Sequence, residues 1–96
     1  MIQEKKAKAF QALHKAPGCF VMPNAWDAGS AYLLETLGFQ AIATTSAGLA
    51  FSLGLPDGGN AVSRDETVTN AGQVADATSL PVSADLEGGF GTAPED

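Results

Sequence analysis

Two carboxylates separated by one residue stand near the end of the sequence, where an apolar segment runs into glycines. Asp85 and Glu87 follow the segment 80–83 and precede Gly88 and Gly89. In an extended chain, residues two apart point to the same side, so both side chains could present oxygens to one hard cation such as Mg2+. A solvated acidic loop is the alternative that this pattern leaves open.

A turn of small residues follows the predicted strand over residues 40–45. It contains Thr45, Ser46, Ala47 and Gly48 and precedes a short apolar segment, 49–53. Such a turn, opening a helix, can bind a carboxylate or phosphate through backbone N–H groups, helped by the hydroxyls of Thr45 and Ser46. A tight strand-to-helix turn without a ligand fits the same residues equally well.

Asn24 and Trp26 fall at the end of another predicted strand, over residues 19–22. Side chains in that position can line a pocket, although simple loop packing also accounts for the tryptophan. Cys19 lies inside the continuous apolar strand, which is predicted to be buried on both faces. This favours a buried cysteine over a nucleophile, and His14 is predicted to be a helix-surface residue rather than a ligand.

The remaining pattern alternates helices with strands. Helices are predicted over 3–15, 28–37 and 64–77, a loop over 54–60 and a third strand over 80–84. Asp27 is expected to cap the second helix and Gly38 to end it, with Ala31, Leu34 and Leu37 facing inward. Ser63 and Glu66 fit a capping box that opens the third helix. Its inward residues are predicted to be Val68, Ala71, Val74 and Ala75. The order predicts parallel strands in an open sheet or a barrel, with ligands at their carboxyl ends.

Composition sets further limits. The chain of 96 residues is long enough for one domain at most, and 45% hydrophobic with 17% charged residues excludes a disordered class. The net charge is −6, and Arg64 is the only basic residue after Lys15, which argues against nucleic acid as a partner. No apolar run is long enough for a membrane span, and no signal peptide is recognisable, which predicts a cytoplasmic protein.

Four segments taken in order resemble the isocitrate lyase/phosphoenolpyruvate mutase superfamily, in its PEP phosphonomutase-like or methylisocitrate lyase-like branch. They are residues 23–27, 44–48, 54–57 and 84–91, and the resemblance extends from Phe10 onward. It implies an α/β fold with parallel strands. Residues 1–96 would form a single partial domain, the N-terminal part of a (β/α)8 TIM-type barrel with a leading helix and about three β/α units.

The resemblance also implies a Mg2+-dependent lyase or mutase that breaks or forms C–C or P–C bonds of small 2-oxo acids through an enolate-type intermediate. The partner would be a small carboxylate or phosphonate substrate. By position, Asp85 matches the principal metal carboxylate and Glu87 a second acid at the metal. Asp57 matches an active-site acid. The substrate-binding candidates are Thr45, Ser46, Ala47, Asn24 and Trp26.

Family members also carry a fourth-strand glutamate and a catalytic gating loop, and residues 1–96 contain neither. We therefore expect this chain to be an N-terminal segment that is inactive alone. Two other functions remain open. One is a non-catalytic fragment that associates with itself as a homo-oligomer, or with a complementary fragment, through exposed strand edges. The other is a small anion-binding domain that uses Thr45 and Ser46 without a metal.

Overall fold

Helices and short parallel strands alternate along residues 2–95, the part of the chain that the computed structural model describes. The elements are α1 (Ile2–Lys15), β1 (Asn24–Ala25), α2 (Ala28–Thr36), β2 (Ile42–Thr44), α3 (Ser46–Ser52), α4 (Arg64–Asp76) and β3 (Val82–Ser83). Each predicted helix is present. The predicted strands over 40–45 and 80–84 are also present, in shorter form.

The three strands form one parallel sheet in the order β1-β2-β3. Asn24 is in register with Ala43, and Ala43 with Ser83. Parallel strands need crossover connections, which α2 supplies between β1 and β2, and α3 with α4 between β2 and β3. The carboxyl ends of all three strands therefore lie at one edge of the sheet.

One face of the sheet packs against α2 and α4. Ala25, Ala31, Ile42 and Val74 are fully buried there. A smaller apolar cluster of Leu49, Ala50 and Val62, with Leu55 against it, attaches α3 to the loop that follows it. Because these two clusters hold the helices on the sheet, they fix the positions of the segments that leave the strands.

The helix ends agree closely with the predicted capping residues. Asp27 caps α2, and its carboxylate accepts the Ser30 N–H at 2.8 Å. Ser63 and Glu66 form the capping box that opens α4. Gly38 follows α2 with a φ of +93°, a conformation that glycine adopts without steric cost.

The prediction of a buried strand over residues 19–22 is wrong. Cys19 is exposed, and Val21 keeps 69% of its surface in water. The parallel ladder reaches back only to Pro23, whose carbonyl accepts the Ala43 N–H at 2.9 Å, so no strand of the described part pairs with residues 19–22. His14 is exposed, as predicted.

Two inward-facing assignments also fail. Leu37 is 65% exposed at the C-cap of α2, and Val68 is 56% exposed on α4. The buried stripe of α4 runs through Thr67, Asn70 and Val74 instead. The apolar pattern predicts the wrong buried face because polar residues on the true face are buried with hydrogen-bond partners. For example, the Thr67 hydroxyl donates to the Ser63 carbonyl at 3.0 Å.

Candidate active site

Asp85 joins the ends of β2 and β3. Its Oδ2 atom accepts the Ser46 N–H at 3.2 Å, and its Oδ1 atom accepts the Glu87 N–H at 3.0 Å. Its own N–H donates to the Thr44 hydroxyl at 2.8 Å. These bonds fix both the backbone and the carboxylate of Asp85 at the carboxyl edge of the sheet.

Thr44 is a site residue that sequence reasoning missed. It is the last residue of β2 and is only 5% exposed, yet it carries a hydroxyl that meets Asp85. A polar side chain at the end of an otherwise apolar strand was the available signal, because buried polar groups need partners.

Asp85 is held as a carboxylate anion. The Glu87 N–H, followed by the Ser46 N–H, lowers the pKa of Asp85 below its ordinary value of 3.8, while partial burial acts in the opposite direction. The side chain therefore carries its negative charge at neutral pH. Such a group is suited to a hard cation.

The turn that opens α3 is already engaged within the protein. The Thr45 hydroxyl accepts the Gly48 N–H at 3.1 Å as the N-cap of the helix, and the Ser46 N–H is donated to Asp85. Ala47 is half-buried beside them. The predicted small-residue turn is thus present, and two of its polar groups have protein partners.

Trp26 lies against the same turn. A Cβ atom built on Gly48 would come within 2.5 Å of the indole Nε1 and also collide with Cδ1 of the ring. The tryptophan is still 47% exposed. The indole therefore forms a wall beside Thr45 and Gly48, so the ends of β1 and β2 meet here.

Glu87 departs from the geometry that the sequence suggested. Its φ is +53°, so the chain is no longer extended at this residue and the strand alternation assumed for Asp85 and Glu87 does not apply. Glu87 lies in a turn over residues 86–89 that is closed by the Gly89 N–H, which donates to the Leu86 carbonyl at 2.9 Å, while the Glu87 N–H donates to the Asp85 carboxylate. The two residues are neighbours through this backbone bond.

A shallow cavity of about 340 Å3 adjoins Glu87. Its walls come from two loops and comprise Asn60, Glu87, Gly88, Phe90, Gly91 and Thr92. Asn60, Glu87 and Phe90 all have positive φ, at 57°, 53° and 62°. Asparagine tolerates this region, whereas glutamate and phenylalanine adopt it at a cost.

Asp57 and Asn24 are less closely connected to this arrangement. Asp57 lies exposed in the loop after α3, as predicted for residues 54–60, and Asn24 is exposed on β1. Among residues 2–95, no hydrogen bond joins either side chain to Asp85 or Ser46. The loop of Asp57 does reach the cavity through Asn60.

The oxygen donors present can accommodate Mg2+ but do not enclose it. No three His, Cys, Asp or Glu side chains of the described part are grouped closely enough to hold a metal ion. Mg2+ commonly uses one or two protein carboxylates and completes its shell with water and substrate oxygens. An ionised Asp85 followed by Glu87 is compatible with that requirement.

Comparison with known proteins identifies the family. The family model for phosphoenolpyruvate phosphomutase matches residues 10–96. The chain belongs to this family. It is 36% identical over 89 residues to 2-methylisocitrate lyase of Bacillus subtilis (strain 168), a match that covers 93% of this chain and 29% of the relative. The superfamily predicted from the four segments is confirmed.

Solved structures agree with the fold. A Burkholderia cenocepacia J2315 protein assigned as a lyase/mutase superposes with a TM-score of 0.93 at 55% identity, covering 99% of this chain and 34% of that protein. Phosphonopyruvate hydrolase, solved with oxalate and Mg2+, gives a TM-score of 0.84 at 29% identity, covering 90% and 30%.

The chain therefore spans about a third of the length of the proteins it matches. Its architecture is that of the N-terminal portion of TIM-barrel relatives, and residues 2–95 contribute three parallel strands in a sheet that does not close. This confirms the predicted fold class. Within residues 2–95, no helix combines the length and the apolar character needed to cross a membrane.

Proposed function

We propose that this chain supplies the N-terminal part of the active site of a Mg2+-dependent lyase or mutase, which breaks or forms C–C or P–C bonds of small 2-oxo acids. The observation that carries the proposal is the ionised Asp85 at the carboxyl edge of the sheet: its carboxylate accepts the N–H groups of Ser46 and Glu87, and its backbone N–H donates to the Thr44 hydroxyl. That edge is where parallel α/β folds bind ligands.

Asp85 would hold the Mg2+, with Glu87 as the second acid near it. The remaining roles follow from position: Thr45, Ser46, Ala47, Asn24 and Trp26 would contact the substrate, and Asp57 would act as an acid from the loop after α3. Mg2+ bound at this carboxylate would supply the positive charge that stabilises an enolate-type oxygen. The protein's part is to orient the anion against the turn and the indole.

Electrostatics favours this function over metal-free anion binding. The Ser46 N–H, the donor that a substrate anion would use, already binds the Asp85 carboxylate at 3.2 Å. A second anion placed there would meet a negative charge at short range, which is unfavourable. A cation at Asp85 removes that repulsion.

Calorimetry with oxalate tests the proposal, because oxalate and Mg2+ are bound together in the phosphonopyruvate hydrolase structure. We expect oxalate to bind this chain with Mg2+ and to lose that binding in EDTA. Asp85→Asn should abolish binding, whereas Asp76→Asn, an exposed acid at the far end of α4, should leave it unchanged. Binding that persists equally in EDTA would instead support the anion-binding alternative.

Turnover provides the second test. The isolated chain should not convert oxaloacetate, 2-methylisocitrate or a phosphonate in the presence of Mg2+, since it spans about a third of its relatives. Turnover that disappears in Asp85→Ala would show that residues 1–96 are sufficient for catalysis. That result would overturn the expected inactivity while supporting the metal role of Asp85.

A further inference from the structure

A buried amide on α4 reaches across to the segment that leaves β1. Asn70 is 7% exposed, and its Nδ2 atom donates to the Trp26 carbonyl at 2.9 Å, across 44 residues of sequence. Removing a buried donor leaves its carbonyl partner without a hydrogen bond, which costs more than the bond itself contributes. The bond ties α4 to one specific residue at the candidate site.

The Trp26 backbone is held from both sides by side chains. Its N–H donates to the Ser30 hydroxyl of α2 at 3.0 Å, and its carbonyl accepts from Asn70 of α4. Both helices pack on the sheet through the main core cluster. Two helices therefore fix the Trp26 backbone, from which the indole side chain extends.

Gly48 provides the surface on which the indole lies. A side chain at position 48 would come within 2.5 Å of the indole Nε1 and 2.6 Å of the Thr45 Cγ2. The backbone of Gly48 is helical within α3, a conformation open to any residue. Glycine is therefore required here by the lack of space for a side chain. The ring thus occupies the volume beside the first turn of α3.

We propose that Asn70 is a positioning residue, which holds Trp26 against Gly48 and so shapes the wall of the site beside Thr45. The role of that wall in substrate binding rests on the proposed function. Asn70 acts through the Trp26 backbone, to whose carbonyl its side-chain amide donates. It makes α4 a determinant of where the indole lies at the end of β2.

Intrinsic fluorescence tests the assignment, because Trp26 is the only tryptophan in the sequence. Asn70→Ala and Asn70→Asp should both shift the emission maximum of the folded, ligand-free chain to the red. They should also raise its acrylamide quenching constant toward that of free tryptophan. Asn70→Asp removes the donor at nearly constant size. Gln73→Ala, an exposed position on the same helix, is the control and should change neither quantity.

Unchanged emission in both Asn70 variants, with wild-type far-UV circular dichroism, would overturn the proposal. A merely structural role would lower the melting temperature without moving the emission of the folded state. If the Asn70 variants do not fold, Gly48→Ala tests the same contact from the other side. It should shift the emission to the red, and unchanged emission would overturn the assignment. Failure of oxalate to bind the wild-type chain would count against the proposed function only, since the ligand-free spectra decide the role of Asn70.

Discussion

The charge of Asp85 is controlled mainly by backbone donors. The N–H groups of Glu87 and Ser46 lower the pKa of Asp85, and the Ser46 hydroxyl adds a smaller effect. Substitution of a side chain therefore leaves most of this control intact. Proline, which has no N–H, is the residue that can remove a backbone donor.

Ser46→Pro should raise the pKa of Asp85 toward 3.8, because it deletes the N–H that binds Oδ2. Ser46 is the first residue of α3, where proline is favoured, and Thr45 already has the extended backbone, with φ −143° and ψ 123°, that a residue before proline needs. Carboxyl carbon chemical shifts measured against pH would give the pKa.

Ser46→Ala is the matched control for this experiment, since it removes the hydroxyl and keeps the N–H. Its effect on the pKa of Asp85 should be the smaller of the two. Because the folded pKa is depressed, Asp85 contributes stability above pH 3.8 that is lost as pH falls through the folded pKa. Equal pKa values in both variants would contradict the backbone assignment.

Glu87 combines backbone strain with a candidate metal role. At a φ of +53°, a non-glycine residue costs roughly 1–2 kcal/mol of backbone strain. Glycine removes this strain, but it loses about 0.5–1 kcal/mol more chain entropy on folding. Glu87→Gly should therefore stabilise the fold by up to about 1.5 kcal/mol while weakening Mg2+-dependent oxalate binding. Urea unfolding and calorimetry measure the two effects.

Glu87→Gln separates strain from charge in that experiment. It keeps the side chain and the positive φ but removes the carboxylate, so the free energy of unfolding should stay at the wild-type value while oxalate binding weakens. A Glu87→Gly variant less stable than Glu87→Gln would show that the positive φ costs less than the glycine entropy. The strain assignment would then be wrong.

At the scale of elements, α2 is tied to the loop between α4 and β3 at the edge of the sheet opposite the candidate site. The Glu35 carboxylate accepts the Ser79 N–H at 3.0 Å and the hydroxyls of Thr78 and Ser79, each at 2.5 Å. Lys6 of α1 donates to the carbonyls of Ala75 and Thr78 at 2.9 and 2.8 Å. Three helices therefore meet at this loop.

Glu35→Gln should destabilise the chain at neutral pH, and the variant should lose less stability than the wild type as the pH is lowered. The Ser79 hydroxyl, followed by that of Thr78, lowers the pKa of Glu35 below 4.5. The charged form thus contributes stability above pH 4.5 that is lost as pH falls through the folded pKa. Thermal melts from neutral pH down through the acid range measure this.

Glu4→Gln serves as the comparison, because Glu4 forms an exposed ion pair with Lys8 at 3.1 Å, a type of contact that contributes little. Its melting curve should follow the wild type at every pH. The interpretation of Glu35 would fail if Glu35→Gln and Glu4→Gln lost stability to the same extent on acidification.

Local chemistry explains which elements were predictable from the sequence. Ser63 with Glu66, Asp27 and Gly38 mark helix ends through hydrogen bonds or backbone freedom within a few residues, and each is found as predicted. The burial of Asn70 depends on Trp26, which lies 44 residues away. No periodicity within α4 carries that information.

The same reasoning separates Asp85 from Glu87 at the candidate site. The Asp85 position follows from the end of β3 and from the family motif, whereas the positive φ of Glu87 belongs to a turn closed by the Gly89 N–H on the Leu86 carbonyl, which the strand pattern does not predict. The missing strand over 19–22 has a different cause. Its apolar residues predict a buried strand, but within residues 2–95 Val21 keeps 69% of its surface in water.

At the scale of the whole molecule, the sheet is open on both sides within residues 2–95. In the described part of the chain, β1 and β3 each pair with β2 and with no other strand. Large apolar side chains on α2 and at its C-cap also face water, with Tyr32 65%, Leu33 57% and Leu37 65% exposed; these three residues form the α2 face. We therefore propose that the chain self-associates, and two surfaces compete for the contact.

The α2 face should dominate over the strand edges. β1 and β3 are two residues long, so each edge offers about two hydrogen bonds with a net contribution of roughly 1 kcal/mol apiece. Burying a leucine side chain fully contributes about 1.5–3 kcal/mol. Light scattering coupled to size exclusion should therefore give a mass above 9.8 kDa that rises with concentration.

The double variant Leu33→Asp, Leu37→Asp should return the chain to the mass of a monomer. Val68→Asp, which places the same charge at a 56% exposed valine on α4, should not. Association that survives the double variant would assign the contact to the strand edges, since charges on α2 leave edge hydrogen bonding intact. A wild-type chain that stays monomeric at every concentration and melts cooperatively would contradict self-association through either surface.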